Sequence, residues 1–181
     1  GFNNDGMEII KTRIQSHEKQ GILGVNIGPN KDTKNQKNDF CLCFKNFIEV
    51  ADYVTLNISS PNTDGLRDFH EEGKLENLLL SINKIKNESS IKTPILLKIS
   101  PDIHENDVGT ISNIAEKSNI SALVLTNTTN KNRHNLTNDK KKEEGGLSGE
   151  PLQALSTDLI KKFYKKLNGK IPIIGVGGIN S

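Results

Sequence analysis

Five short runs are rich in branched apolar residues: "ILGVNIG" from Ile22, "YVTLNIS" from Tyr53, "PILLKIS" from Pro94, "ALVLTN" from Ala122 and "IPIIGVGG" from Ile171. Each is nearly continuous in Ile, Leu and Val rather than alternating with polar residues. A strand with one wet face alternates, whereas a strand covered on both faces does not. The pattern therefore predicts five fully buried strands in a parallel sheet covered by helices.

The segments between them carry the helical period. Leu75, Leu78, Leu79, Ile82 and Ile85 form one apolar stripe, and Val108, Ile111, Ile114 and Ala115 form a second. Ile160, Phe163, Tyr164 and Leu167 form a third, closed by the stop signal Asn168-Gly169. A fourth helix is expected over 40–50, with a less regular stripe. Strand alternating with helix is βαβ architecture, which an open doubly wound sheet and a (β/α)8 barrel both satisfy.

The ends of the strands separate these two. Every run closes on polar residues or glycine: Asn26-Gly28-Asn30, Asn57-Ser60-Asn62, Lys98-Ser100, Thr126-Asn127-Thr128 and Gly175-Gly177-Gly178. An open sheet gathers its site at one switch point, while a barrel draws on the carboxyl ends of many strands. The expected fold is thus α/β, a (β/α)8 barrel represented by about five of its eight βα units. Residues 1–181 are expected to form a single partial barrel domain of a longer protein, with about three strands elsewhere.

Composition excludes several function classes. The 181 residues carry 24 basic and 22 acidic side chains, a formal net charge of +2, which favours no polyanionic partner. The lysines of "NKNRHNLTNDKKKEE" (130–144) are interleaved with polar and acidic residues, and no aromatic offers a stacking platform. This stretch is expected to be a solvated loop, and no nucleic-acid partner is expected. No apolar run approaches the roughly 18–20 residues that a membrane-spanning helix needs. Cys41 and Cys43 are two apart, which on a helix points them to different faces. They are read as buried reduced thiols of a reducing compartment rather than metal ligands.

The strand ends also suggest a chemistry. "GGLSG" (145–149) stands before a helix and "GVGG" (175–178) ends a strand, and glycines at such turns let backbone N–H groups approach an anion closely. Together they favour a phosphorylated ligand. Lys98 lies inside an apolar strand, where an ammonium is costly unless an anion meets it; the alternative is a side chain that reaches out to the rim. Asn26, Asn57, Asn62, Asn127, Thr126 and Thr128 offer donors and acceptors side by side, as a flavin or a pyrimidine requires. Neither a carboxylate pair nor a histidine is expected at these ends; His17, His70, His104 and His134 fall in helices or loops with no metal spacing. Acid–base work would fall to Ser60, Lys98 or threonines, which points to redox chemistry in which a cofactor carries the difficult step.

These residues resemble a known family. "VNIGPNKDT", "ADYVTLNISSPNTDGLR", "PILLKISPD", "ALVLTNTT", "GGLSGEPL" and "IPIIGVGGI" are similar, in order and spacing, to successive motifs of dihydroorotate dehydrogenases. The resemblance implies an FMN-containing (β/α)8 barrel that oxidises dihydroorotate to orotate in pyrimidine (UMP) biosynthesis. Ser60 stands where the soluble class 1 enzymes carry cysteine, which is the pattern of the membrane-associated, quinone-reducing class 2. By motif, FMN contacts fall on Asn26, Asn57, Lys98, Thr126, Gly149, Gly177 and Gly178. Substrate contacts fall on Gly1, Phe2, Asn57, Asn62, Asn127 and Thr128. Ser60 is the implied base, Lys98 a catalytic cation, and Thr63 and Phe2 flank the water route by which the proton leaves. The implied partners are dihydroorotate or orotate, a quinone such as ubiquinone, and a membrane surface reached through helices N-terminal to this segment. The implied location is peripheral to the bacterial cytoplasmic or mitochondrial inner membrane.

Pro29 departs from the family's usual lysine and Ser100 from its common alanine. Another FMN barrel acting on a pyrimidine is the nearest alternative, although such enzymes share the cysteine pattern that Ser60 breaks. A non-catalytic barrel fragment is the alternative from another class; flavin absorbance separates the two.

Overall fold

A computed structural model gives the structure of residues 3–131, 133–134 and 136–179. Gly1 and Phe2, marked by resemblance for substrate contact and the proton route, lie outside the described residues. In chain order the elements are α1 (Met7–Ser16), β1 (Gly24–Ile27), α2 (Gln36–Phe47), β2 (Tyr53–Asn57), a 3-10 turn at Leu66–His70 and α3 (Glu72–Ser89). There follow β3 (Ile95–Ile99), α4 (Glu105–Lys117), β4 (Ala122–Leu125), a short 3-10 turn at Asp139–Lys142, α5 (Glu150–Leu167) and β5 (Ile173–Gly175).

The five strands make one sheet in the order β1-β2-β3-β4-β5, with every neighbouring pair parallel. A doubly wound sheet reverses its strand order at the switch point, whereas unbroken sequential order is that of barrel units. The topology therefore supports the barrel over the open sheet.

Register explains why the strand sequences do not alternate. Val54, Leu56, Ile95, Leu97, Ile99, Leu123 and Leu125 point into the main core with Phe40, Phe44, Leu75, Ile82, Ile111 and Phe163. The intervening Leu96, Ala122 and Val124 make a second, smaller cluster, with Tyr53 packed on it. The period of two is present, but apolar side chains on both faces hide it. Tyr53 also covers Gly24: a Cβ on Gly24 would lie 2.1 Å from the tyrosine ring.

Local signals fix the helix ends. Asn35 caps α2 by accepting the Asn38 N–H at 3.0 Å, and His104 and Asp107 form a reciprocal capping box on α4. Pro151 stands in the first turn of α5, and that helix stops where Asn168 (φ 47°) and Gly169 (φ 76°) turn left-handed.

Three expectations need correction. Only β2, β3 and β4 are largely buried; β1 and β5 each pair on one side only and are substantially exposed, with Ile174 at 45%. Tyr164 is 66% exposed and does not belong to the buried stripe of α5, which runs through Leu152, Ser156, Leu159, Phe163 and Leu167. Cys41 and Cys43 are half-buried free thiols, not fully buried ones. Desolvation nonetheless raises both thiol pKa values and disfavours the reactive thiolate.

The corrected stripe predicts a contrast in α5. Phe163→Ala should cost about 3–5 kcal/mol, the usual loss for a buried phenylalanine, and Tyr164→Ala should stay within about 0.5 kcal/mol. Urea unfolding of the two variants measures both; equal losses would show that both rings pack.

Candidate functional site

Parallel strands end on the same side of the sheet, so the polar strand ends form one surface. One line of register partners joins Asn57, Lys98, Val124 and Ile174; the line beneath joins Asn26, Thr55, Leu96 and Ala122. Lys98 alternates with Leu97 and Ile99 of the main core, so it shares the opposite face with Leu96 and lies beside Asn57. It is half-buried, and its ammonium has no hydrogen bond or ion pair among the described residues. Burial lowers its pKa below the ordinary lysine value. A cation held this way is costly on its own and suited to meeting an anionic ligand.

Beside it lies a cluster of amides and hydroxyls. Asn57 Oδ1 accepts from the Ser59 hydroxyl at 2.7 Å and from the Ser59 N–H at 3.3 Å, which turns the chain as it leaves β2. Asn127 Nδ2 donates to Ser59 Oγ at 2.9 Å and to Asn57 Oδ1 at 3.3 Å. Asn127 Oδ1 in turn accepts the Thr128 N–H at 2.8 Å. The ends of β2 and β4 are thereby joined through side chains alone.

Ser60 is half-buried, and its Oγ accepts the Asn62 N–H at 3.3 Å. A hydroxyl has two lone pairs and one proton, so one lone pair and the proton stay available for exchange with a ligand. Gly146 lies over this surface: a Cβ there would lie 1.8 Å from Thr128 Oγ1 and 3.2 Å from Pro61. Only glycine permits so close an approach of that loop.

Three groups that the sequence did not mark hold the loops in place. Arg67 Nη1 pairs with Asp102 Oδ2 at 3.0 Å, with the two side chains 27% and 5% exposed. The same guanidinium reaches the Ser59 carbonyl through Nε at 3.5 Å and the Thr128 carbonyl through Nη2 at 3.4 Å. Asp102 also accepts the Asn130 N–H at 3.0 Å and the hydroxyl of the fully buried Thr129. His70 is the third: its ring nitrogens meet the Arg67 carbonyl at 2.7 Å and the Ser100 N–H at 3.3 Å. The Ser100 amide can only donate, so Nε2 accepts and Nδ1 carries the proton. Burial lowers the His70 pKa, outweighing the upward pull of its bond to the Arg67 carbonyl, and favours that neutral form.

The glycines form a separate corner. Gly149 (φ 80°) opens α5, and Gly177 (φ 112°) and Gly178 (φ 73°) turn the chain beside that helix's first turns. A Cβ on Gly178 would lie 2.8 Å from the Gln153 nitrogen, and one on Gly177 2.7 Å from Leu152 Cδ2. Ser156 Oγ donates to the Val176 carbonyl at 2.8 Å, and the Thr126 N–H donates to the same carbonyl at 2.9 Å, which ties this corner to β4. Backbone N–H groups at a helix start beside such a turn suit a phosphate.

The structure thus joins Asn57, Asn127 and Thr128 directly, sets Lys98 beside Asn57, and gathers Thr126, Gly149, Gly177 and Gly178 around the start of α5. It does not join every expected residue. Asn26 is exposed on the edge strand, Asn62 is exposed with only its backbone engaged, and Thr63 is buried with its carbonyl receiving the Leu66 N–H at 3.3 Å. Arg67, Asp102 and His70 act between loops. Of the three, only Asp102, in Pro101-Asp102 just after β3, stands close to a strand end. The expectation that no histidine serves these ends needs amendment, since His70 caps the exit of β3. Among the described residues no group of His, Cys, Asp and Glu has metal-site geometry.

Comparison with known proteins gives a consistent match. The dihydroorotate dehydrogenase family model matches residues 1–181. The chain is 44% identical over 184 residues to a dihydroorotate dehydrogenase (quinone) of Bartonella tribocorum, covering 99% of this chain and 51% of that protein. It is 43% identical over 187 residues to a protein of the same name from Buchnera aphidicola subsp. Schizaphis graminum, covering 100% and 56%. The crystal structure of the Eimeria tenella dihydroorotate dehydrogenase in complex with ferulenol superposes with a TM-score of 0.92 at 32% identity, over 100% of this chain and 55% of that one. The chain spans about half the length of the curated relatives it matches. On this sequence match, and on a sheet that superposes on a solved member, the chain belongs to the dihydroorotate dehydrogenase family.

Proposed function

We propose that this chain is the central part of the FMN-binding barrel of a class 2 dihydroorotate dehydrogenase, which oxidises dihydroorotate to orotate in pyrimidine biosynthesis and passes the electrons to a quinone. The remaining strands, and the helices that meet quinone and membrane, belong to segments on either side. The protein then sits peripherally on a bacterial cytoplasmic or mitochondrial inner membrane; none of the described helices is long and apolar enough to cross one.

The observation that carries the reading is the half-buried Lys98, unpartnered among the described residues and in register with Asn57, beside the Asn57–Ser59–Asn127 cluster. FMN fits the donor set, because it has a phosphate for the glycine corner and a ring of alternating N–H and C=O groups for the amide side. When bound it supplies the hydride acceptor. Asn26, Asn57, Thr126, Gly149, Gly177 and Gly178 are assigned to hold it. Asn57, Asn62, Asn127 and Thr128 are assigned to the substrate's amide edges, together with Gly1 and Phe2. Ser60 Oγ accepts the proton from the carbon next to the substrate carbonyl and passes its own to water near Thr63. The test is direct. Full-length protein should purify yellow with one FMN and be bleached anaerobically by dihydroorotate; a colourless protein that takes up no FMN would refute the reading. Residues 1–181 alone should not retain FMN stoichiometrically, since the sheet has two open edges.

Lys98 should stabilise negative charge that develops on the bound ring, an effect strengthened by its burial. Lys98→Ala in the full-length protein should lower the flavin reduction potential and slow reduction by substrate. Potentiometric titration checks this; an unchanged potential would assign Lys98 to simple rim packing.

Ser60→Ala should slow anaerobic flavin reduction by roughly 10²-fold or more, the scale of a positioned base, with little change in substrate affinity. Ser60→Cys should recover part of the rate with a pH dependence set by a thiol that ionises near about 8.5. Stopped-flow reduction of both variants measures this, and wild-type rates in Ser60→Ala would remove Ser60 as the base.

A further inference from the structure

Arg67 and Asp102 lie behind the amide cluster, and neither is assigned a ligand. Their bonds span the loops after β2, β3 and β4. Arg67 sits after β2 and holds the carbonyl of Ser59 in its own loop and of Thr128 in the loop after β4. Asp102 follows β3 and holds the Thr129 hydroxyl and the Asn130 N–H, again after β4. Thr129 pairs with Leu147 in both directions, at 3.0 and 2.7 Å, which extends the contact to the glycine-rich loop before α5.

We infer that Arg67 and Asp102 are positioning residues that fix the Asn127–Thr128 edge against the Ser59–Ser60 turn and so set how tightly the site grips a planar pyrimidine. This rests on the function proposed above. The strong contact is the ion pair, which anchors the guanidinium; the two carbonyl bonds at 3.4 and 3.5 Å are long, and their work is directional. A planar fork with five donors can serve a carboxylate and two divergent carbonyls together, which a lysine ammonium on a flexible stem cannot. Both carbonyls flank groups assigned to substrate: Ser59 precedes Ser60, and Thr128 follows Asn127. Spacing between the base and the amide edge is therefore set from behind by one side chain. Small losses of such spacing cost a bound reactant its productive geometry.

Arg67→Lys in the full-length protein keeps the charge and loses the fork. Thr129→Val keeps the packing and removes one donor to Asp102, a milder test that serves if Arg67→Lys does not fold. Both variants should keep wild-type FMN content and a wild-type rate of flavin reoxidation by quinone. The Kd for orotate and the KM for dihydroorotate should rise by about 10-fold or more in Arg67→Lys and less in Thr129→Val. Backbone amide exchange should quicken at residues 127–130 and not across β2 and β3. Wild-type orotate affinity with unchanged exchange at 127–130 would overturn the inference. So would joint loss of flavin and both half-reactions with faster exchange throughout the sheet, which marks a purely structural ion pair. A wild-type protein that dihydroorotate does not reduce would instead sink the proposed function, and the exchange measurement would still decide what Arg67 holds.

Discussion

Four parallel ladders hold β1 to β5 in chain order, and each brings a strand's last residues beside those of its neighbour. Much else in the molecule depends on that alignment. It fills one face with leucine, isoleucine and valine against the helices, and it carries Asn57, Lys98, Thr126 and Gly177 to the same end. Because the interior strands are buried, most of their polar side chains gather near the end of the ladder, and Thr55 is an exception inside it. The site is therefore a consequence of how the sheet is built.

Charge is used there in two opposite ways. Lys98 is held half-buried with no counter-ion among the described residues, so its cost is met only when an anion binds beside it. Arg67 and Asp102 neutralise each other, and Asp102 has further donors in Thr129 and Asn130. A closed pair of this kind fixes geometry and leaves little field for a ligand. His70 adds a neutral strut between the 3-10 turn and Ser100. The neutral amides between them can meet a ring whose donors and acceptors alternate.

Much of the fold was legible because its period and its punctuation agreed. The β2, β3 and β4 runs, the stripes of α3 and α4, and the Asn168-Gly169 stop follow from local residue types. Tyr164 was misread because the helical period alone does not say how wide the buried stripe is; α5 buries the Leu159–Phe163–Leu167 line and leaves Tyr164 to solvent. The edge strands were misread because an apolar run does not show which neighbours cover it. At the site, Asn57, Lys98 and Asn127 were legible as polar residues ending apolar strands. Arg67, Asp102 and His70 were not, because what matters is how they cross between loops 27 to 61 residues apart, and local pattern does not encode such distances.

The central claim is that the amide cluster and Lys98 form one surface for a flavin and a pyrimidine. A crystal structure of the full-length protein with FMN and orotate tests it most directly. The account predicts Lys98 Nζ within hydrogen-bond distance of the flavin ring, with Asn57 and Asn127 redirecting part of their mutual bonding to orotate. Orotate bound elsewhere, with the Asn127–Asn57 contact intact at 3.3 Å and Lys98 facing solvent, would contradict it.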